Sequence, residues 1–301
     1  MQNPYHFSMG ILMSNPCTFA VNIFNICSKI ICFKISRFLF QICSPTHCPS
    51  GHLYHGRNLD FGLWPAFNFS DFQWELTNSL RDTLFNVNFT RNGKLWYRST
   101  VFGGYIGMLT GLKKGAMTIS VDTRFDSNYD KYLLKYLRNP TPDQQWLSLT
   151  TRVAIEDYTT YDDAVSFISK SSFIGPCYVI IGGAKKDEGA VLTVGPNSTM
   201  FDQWDLKDAL PADNKTTPFY VLETNYDHWK DVPFFDDRRL PAEECMDRTG
   251  SARMNWESLY NVLHGKPNRN RLTTYTTLMD STSGGFVAYK QHCTDWDCSP
   301  W

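Results

Sequence analysis

The chain has 301 residues, 42% of them hydrophobic and 15% aromatic, and a formal net charge of −1. That is length and apolar content enough for one large domain or two ordinary ones with a sizeable core. No basic stripe accompanies the near-zero charge, which argues against nucleic acid as a partner.

Residues 1–50 are rich in Ile, Phe and Cys, with Lys29, Lys34 and Arg37 scattered among them. No clean apolar window of membrane-spanning length occurs, and the short run Gly10-Ile11-Leu12-Met13 lacks a preceding Lys or Arg and is soon followed by Pro16. The segment therefore predicts neither a span nor a convincing signal peptide. Five of the nine cysteines (Cys17, Cys27, Cys32, Cys43, Cys48) lie here. Cys43, His47 and Cys48 lack a second ligand pair, so zinc is not predicted.

The stretch Gly51–Gly62, Gly-His-Leu-Tyr-His-Gly-Arg-Asn-Leu-Asp-Phe-Gly, reads as a strand running into a turn. Period two puts His52, Tyr54 and Gly56 on one face and Leu53, His55 and Arg57 on the other. Leu84–Phe89 and Lys94–Val101 form a hairpin across Asn92-Gly93. Ala116–Asp122 is a further strand. Tyr132–Leu137, Gln144–Ile155 and Tyr161–Ser169 read as helices, the last with Thr160 and Asp163 in capping-box spacing. Cys177–Gly182, Ala190–Val194 and Phe219–Glu223 read as strands. Pro241–Arg248 and Trp256–His264 are helices, the second capped by Asn255 and ended by Gly265. Leu272–Met279 and Phe286–Tyr289 complete the strands. Strands flanking a central block of helices predict one α+β domain.

Sequons occur at Asn68, Asn88, Asn197 and Asn214. Together they point to a secretory route. That route is oxidising, so Cys293 and Cys298 are expected to close a small loop. The aromatic content is read chiefly as core, with Phe61–Pro65 a candidate lining of an apolar groove.

Five blocks carry a resemblance: Gly51–Gly62, Gly104–Gly111 (Gly-Tyr-Ile-Gly-Met-Leu-Thr-Gly), Glu223–Trp229 (Glu-Thr-Asn-Tyr-Asp-His-Trp), Phe234–Arg239 (Phe-Phe-Asp-Asp-Arg-Arg) and Tyr275–Asp280 (Tyr-Thr-Thr-Leu-Met-Asp). In this order they resemble the large subunit of the acid ceramidases, cysteine N-terminal-nucleophile amidohydrolases related to the N-acylethanolamine acid amidases. The resemblance covers residues 51–301 and is absent from 1–50. We therefore expect a boundary near Gly51, with a catalytic domain after it and an atypical segment before it.

The resemblance implies a four-layer αββα sandwich. It implies lysosomal cleavage of the N-acyl amide of ceramide, contact with a membrane surface, and no metal or organic cofactor. The nucleophile is the first residue of the mature large subunit, and its own α-amino group serves as base. Arg57 matches the arginine beside that nucleophile and Asp60 the aspartate that contacts the amine. A guanidinium there stabilises thiolate and carbonyl. Asn225 matches the oxyanion-hole asparagine, a donor worth roughly 3–4 kcal/mol in such sites, and Arg238 a second active-site arginine. Asp122 and Thr123 fall where the family has a polar pair; Thr123 departs from it and is given no role. The family's cysteine stands about sixteen positions before Arg57, which lands on Gln41. Cys43, two positions away, is the candidate nucleophile, although Pro45 follows where a core strand should run. Cys245 matches a cysteine that bonds a small subunit, for which no partner is recognisable. The rival readings are an N-acylethanolamine acid amidase and a non-catalytic lipid-binding relative. Phe234-Phe235 and the C-terminal cysteine loop favour ceramidase over the ethanolamide amidase.

Overall fold

The structure, a computed structural model, describes residues 51–62, 66–71, 73–125, 129–209, 219–293 and 298, and the backbone of 36–43, with 129–130 as backbone only. Leu63–Pro65, Asn214, His47 and Cys48 lie outside the described residues, and with them the groove, sequon and zinc expectations that rest there.

Strands β1 (Ser36–Cys43) and β2 (Tyr54–Phe61) come first, then helix α1 (Glu75–Asp82) and strands β3 (Leu84–Arg91), β4 (Lys94–Phe102), β5 (Thr110–Lys113) and β6 (Met117–Thr123). Helices α2 (Tyr129–Arg138), α3 (Leu147–Asp157) and α4 (Tyr161–Lys170) follow. After them run β7 (Cys177–Gly183), β8 (Gly189–Val194), β9 (Met200–Asp205) and β10 (Tyr220–Glu223). Helices α5 (Arg239–Thr249) and α6 (Trp256–His264) and strands β11 (Thr273–Asp280) and β12 (Gly285–Lys290) end the order.

The strands form two antiparallel sheets, β10-β1-β2-β11-β12 and β9-β8-β7-β6-β5-β4-β3. Their inner faces share a core containing Leu59, Tyr275 and Val221 from the first sheet and Tyr178, Ile180 and Val191 from the second. The outer face of the first sheet is covered by α5 and α6, through Met246, Leu259 and Leu263 against Tyr54 and Leu278. The outer face of the second is covered by α3 and α4, through Ile155 and Ile168 against Ile119 and Val179. Helices outside and two sheets inside make the αββα sandwich of the N-terminal-nucleophile hydrolases. Strands buried on both faces lose the polar/apolar alternation of a half-exposed sheet. That is why β7 and β8, buried along their whole lengths, read as continuous apolar runs.

Local signals behave as the sequence predicts at several places. Asn92 (φ 52°) and Gly93 (φ 72°) make the left-handed pair of a tight hairpin. Thr160 accepts from the Asp163 amide, and Asn255 forms a full capping box with Ser258. Gly265 closes α6 in extended rather than left-handed backbone (φ −60°). Gln144 and Gln145, expected in a helix, instead pair in parallel with Ser172 and Phe173, and α3 starts at Leu147. Helix α1 and strands β5 and β9 were not legible in the sequence.

Residues 36–43 lie in the atypical segment, before the boundary expected near Gly51. Yet β1 pairs along its whole length with β2 and over four residues with β10, so it is a central strand. Gly51 (φ +66°) lies in the link from this strand to β2, in a conformation that favours glycine. Among the described residues no helix is long and apolar enough to cross a membrane.

Candidate functional site

The two faces of β2 divide its functional residues. On the inner face, His55 is held between the Thr118 and Ser120 hydroxyls of β6 at 2.8 and 2.7 Å. Burial, then the Arg57 charge, lowers its pKa to about 3, so the ring is neutral. Arg57, also on this face, donates through Nη1 to Leu109 O (2.9 Å), Thr110 Oγ1 (2.5 Å) and Tyr275 Oη (3.3 Å), and through Nη2 to Val121 O (3.4 Å). The Tyr275 hydroxyl lies 2.8 Å from Thr110 Oγ1, which closes a buried ring of hydrogen bonds around the guanidinium.

On the outer face, Gly56 lies under α6, where an added Cβ would come 2.8 Å from Leu263. Asn58 donates to Leu263 O at 2.7 Å and to Asn268 O at 3.1 Å. Asp60 accepts from Asn270 Nδ2 at 2.7 Å. Arg57 and Asp60 are three residues apart on a strand, so they leave it on opposite faces. The structure therefore places them in one neighbourhood but not on one surface.

The second half of the site comes from the segment after β10. Asn225 donates through Nδ2 to Asp122 Oδ1 (2.7 Å) and Thr123 O (2.8 Å), and accepts from Arg238 Nη2 at 2.7 Å. Arg238, 2% exposed, also donates to Asp236, whose other oxygen accepts from Tyr226 Oη at 2.9 Å. The ion pair between Arg238 and Asp236 is buried. Asp122 lies within electrostatic reach of Arg238, Glu223 and Arg57. Burial pushes the carboxyls of Asp122 and Glu223 well above the carboxylate range. Arg57, Asp122, Asn225 and Arg238 are thus brought together between the sheets, shut off from solvent.

Cys43 is not brought to them. Its backbone pairs with Tyr54, while Phe40 pairs with Arg57 and Arg37 with Asp60. Three residues of strand separate Cys43 from the level of Arg57, about 10 Å. A group served by both Arg57 and Asp60 would stand on β1 between Arg37 and Phe40, where the sequence is Arg-Phe-Leu-Phe. The other described thiols lie elsewhere. Cys177 faces α3 and α4, and burial pushes its thiol far up. Cys245 is half-buried among the residues under α5 and α6.

The expected loop is closed by a Cys293–Cys298 disulfide. Asn197 is exposed, and Asn68 and Asn88 are half-buried. Beside the site, Phe234 (94% exposed), Phe235, Trp229 and Leu240 present apolar side chains on the segment that carries Arg238. Leu134 and Leu137 of α2 are exposed as well. Sequence reasoning gave no role to His55, Glu223 or Tyr275. Glu223 and Tyr275 open two of the five motif blocks, and that position was the available signal.

No protein-family model matches the chain. It is 38% identical over 277 residues to the acid ceramidase of Pan troglodytes, across 91% of this chain and 68% of that protein. Identity and coverage are the same for the acid ceramidase of Homo sapiens. Both matched spans are longer than residues 51–301, so they take in residues before Gly51. Among solved structures, the Caenorhabditis elegans N-acylethanolamine-hydrolyzing acid amidase ortholog superposes with a TM-score of 0.67 at 26% identity, over 84% of this chain and 99% of that one.

Proposed function

The chain belongs to the acid ceramidase family, and from this premise we propose that it is an amidohydrolase cleaving the N-acyl amide of ceramide to sphingosine and a fatty acid. The observation that carries the proposal is the convergence of Arg57, Asn225 and Arg238 between the two sheets, each from a different motif block and Arg57 far from the other two in the chain. Arg57 and Arg238 supply fixed positive charge where a tetrahedral oxyanion forms, in a site that excludes water and so strengthens the interaction. Asp60, held by Asn270, is assigned the orienting of an α-amino group at the far end of β2.

In this reading the catalytic domain comprises residues 51–301 together with β1. The nucleophile assignment rests on Cys43. For Cys43 to stand opposite Arg57, β1 must slip by three residues, and an odd slip exchanges the two faces of a strand. Cys245 is assigned to a disulfide with a small subunit of the same precursor. The sequons and the disulfide accord with a secretory route to the lysosome. The exposed Phe234, Phe235, Trp229 and Leu240 are assigned to contact with the membrane that holds the lipid substrate.

One observation favours a second reading. No cysteine stands on β1 at the level of Arg57 and Asp60, as a lipid-binding relative without turnover would have it. The experiment that separates the two follows sphingosine and fatty acid release from a short-chain ceramide alongside binding of the same lipid. Release in equal amounts supports the hydrolase; binding without release supports the second reading. Faster cleavage of an N-acylethanolamine than of ceramide would move the substrate assignment to the acid amidases.

A further inference from the structure

Asn225 uses both of its amide hydrogens within the protein, one on Asp122 Oδ1 and one on Thr123 O. Its oxygen is taken by Arg238. An amide committed in this way is a poor donor to a substrate carbonyl. It does fix the carboxyl of Asp122. The other oxygen of that carboxyl, Oδ2, is buried and has no hydrogen-bond partner among the described residues. Buried polar atoms are normally satisfied, and one left open in a candidate active site points to a ligand group that completes it.

Alternation along β6 turns Asp122 to the same side as Thr118 and Ser120, the residues that hold His55. The ionisable groups around it are Arg57 from β2, Arg238 ahead of α5, Glu223 from β10, and Cys177 and Tyr178 from β7. The Tyr178 hydroxyl is engaged by Asp227 at 2.8 Å. Burial outweighs the two arginines, and Glu223 adds to it, so the carboxyl keeps its proton well above the usual range.

We infer that Asp122 is a further catalytic residue: a neutral carboxylic acid whose Oδ2–H donates to the carbonyl oxygen of the scissile amide, while Asn225 is the positioning residue that holds its other oxygen. The inference rests on the amide-hydrolase reading of this same site. No proton need leave Asp122; a hydrogen bond that strengthens as the carbonyl oxygen gains charge suffices. The donor vanishes when the acid ionises, which ties turnover to the acid side of the Asp122 titration.

The test compares the full wild-type chain with Asp122→Asn and Asp122→Ala in hydrolysis of a short-chain ceramide from about pH 4 to about pH 8. Asparagine keeps a donor at every pH. Wild-type kcat is expected to fall about tenfold per pH unit on its alkaline limb. Asp122→Asn should keep acid-side kcat within about tenfold and lose that limb, and Asp122→Ala should lose roughly 10²–10³ in kcat with little change in KM. An Asp122→Asn profile with the wild-type limb, or an Asp122→Ala enzyme with wild-type kcat, overturns the inference. Should Asp122→Ala fail to fold, the Asp122→Asn profile decides.

A wild-type chain that releases no fatty acid ends the hydrolase reading but not this test, because binding of the intact short-chain ceramide then decides. Affinity at pH 5 that stays within about tenfold of wild type in Asp122→Asn, and is at least about tenfold weaker in Asp122→Ala, supports the donor role. Equal affinities in wild type and Asp122→Ala overturn it.

Discussion

The guanidinium of Arg238 donates to Asn225 Oδ1 at 2.7 Å, and both side chains are buried between the segment after β10 and the start of α5. The bond fixes the amide plane of Asn225, and so the direction in which it presents its hydrogens to Asp122. Arg238→Ala leaves Asn225 Oδ1 and Asp236 without this donor. It is expected to lower kcat by about 10²-fold and stability by about 3–5 kcal/mol, the cost of breaking a buried pair by removing one partner. Arg238→Lys keeps the charge but loses the planar fork, so it should rescue stability more than turnover. Steady-state kinetics and urea melts of the two variants check this.

Tyr275 serves Arg57 as Asn225 serves Asp122. Its hydroxyl lies 2.8 Å from Thr110 Oγ1 and 3.3 Å from Arg57 Nη1. Tyr275→Phe removes the hydroxyl and little volume. The expected cost is about 1 kcal/mol in a urea melt, with a severalfold fall in kcat as the guanidinium loses a partner. A melt unchanged within about 0.3 kcal/mol would show that the ring of bonds around Arg57 does not hold it.

The buried ionisable groups give opposite pH dependences, and the signs can be separated by mutation. The folded His55 pKa is about 3, against about 6.5 unfolded. As pH falls below about 6.5 the unfolded chain takes up a proton that the fold refuses, so stability drops by about 1.4 kcal/mol per unit. Asp122 and Glu223 are raised in the fold. Their contributions are complete below about pH 4 and are lost as pH rises toward the raised values. Between about pH 4 and 6.5 the slopes oppose each other. His55→Gln should make stability fall with pH across this window, and Asp122→Asn should shift the slope upward. Urea midpoints at several pH values read both signs.

The apolar rim predicts a difference between soluble and membrane-held substrate. Phe234 and Phe235 are largely exposed and pack edge to face on one another, with ring centroids 5.6 Å apart. A Phe234→Ser/Phe235→Ser double variant should bind vesicles more weakly. Its KM for ceramide presented in vesicles should rise by about tenfold or more, since each phenylalanine transferred is worth about 1.5–3 kcal/mol. Its kcat on a water-soluble short-chain amide should be unchanged. Vesicle sedimentation and the two kinetic assays test this.

Much of the architecture was legible because its signals are local. Asn92-Gly93, the Thr160 and Asn255 caps and the period of β2 each act within a few residues. The division of β2 into a Tyr54 face and an Arg57 face was readable from period two alone. Strands buried on both sides carry less pattern, and β5, only four residues long, is too short to show one. The position of β1 was not readable, because its place is set by pairing to β2 and β10 rather than by its own composition. The site was legible as a set of residues and not as a geometry. Arg57, Asn225 and Arg238 lie in motif blocks, whereas the hydrogen bond from Asn225 to Asp122 spans 103 residues and has no local signature.

The central claim is amide hydrolysis at the cluster of Arg57, Asp122, Asn225 and Arg238. Its most direct test is mass-spectrometric measurement of both products from a short-chain ceramide incubated at acidic pH with the wild-type chain and with Arg238→Ala. The account predicts equal amounts of sphingosine and fatty acid from wild type, and at least tenfold less from the variant while it still binds the lipid. Ceramide bound by the wild-type chain and recovered intact would contradict it.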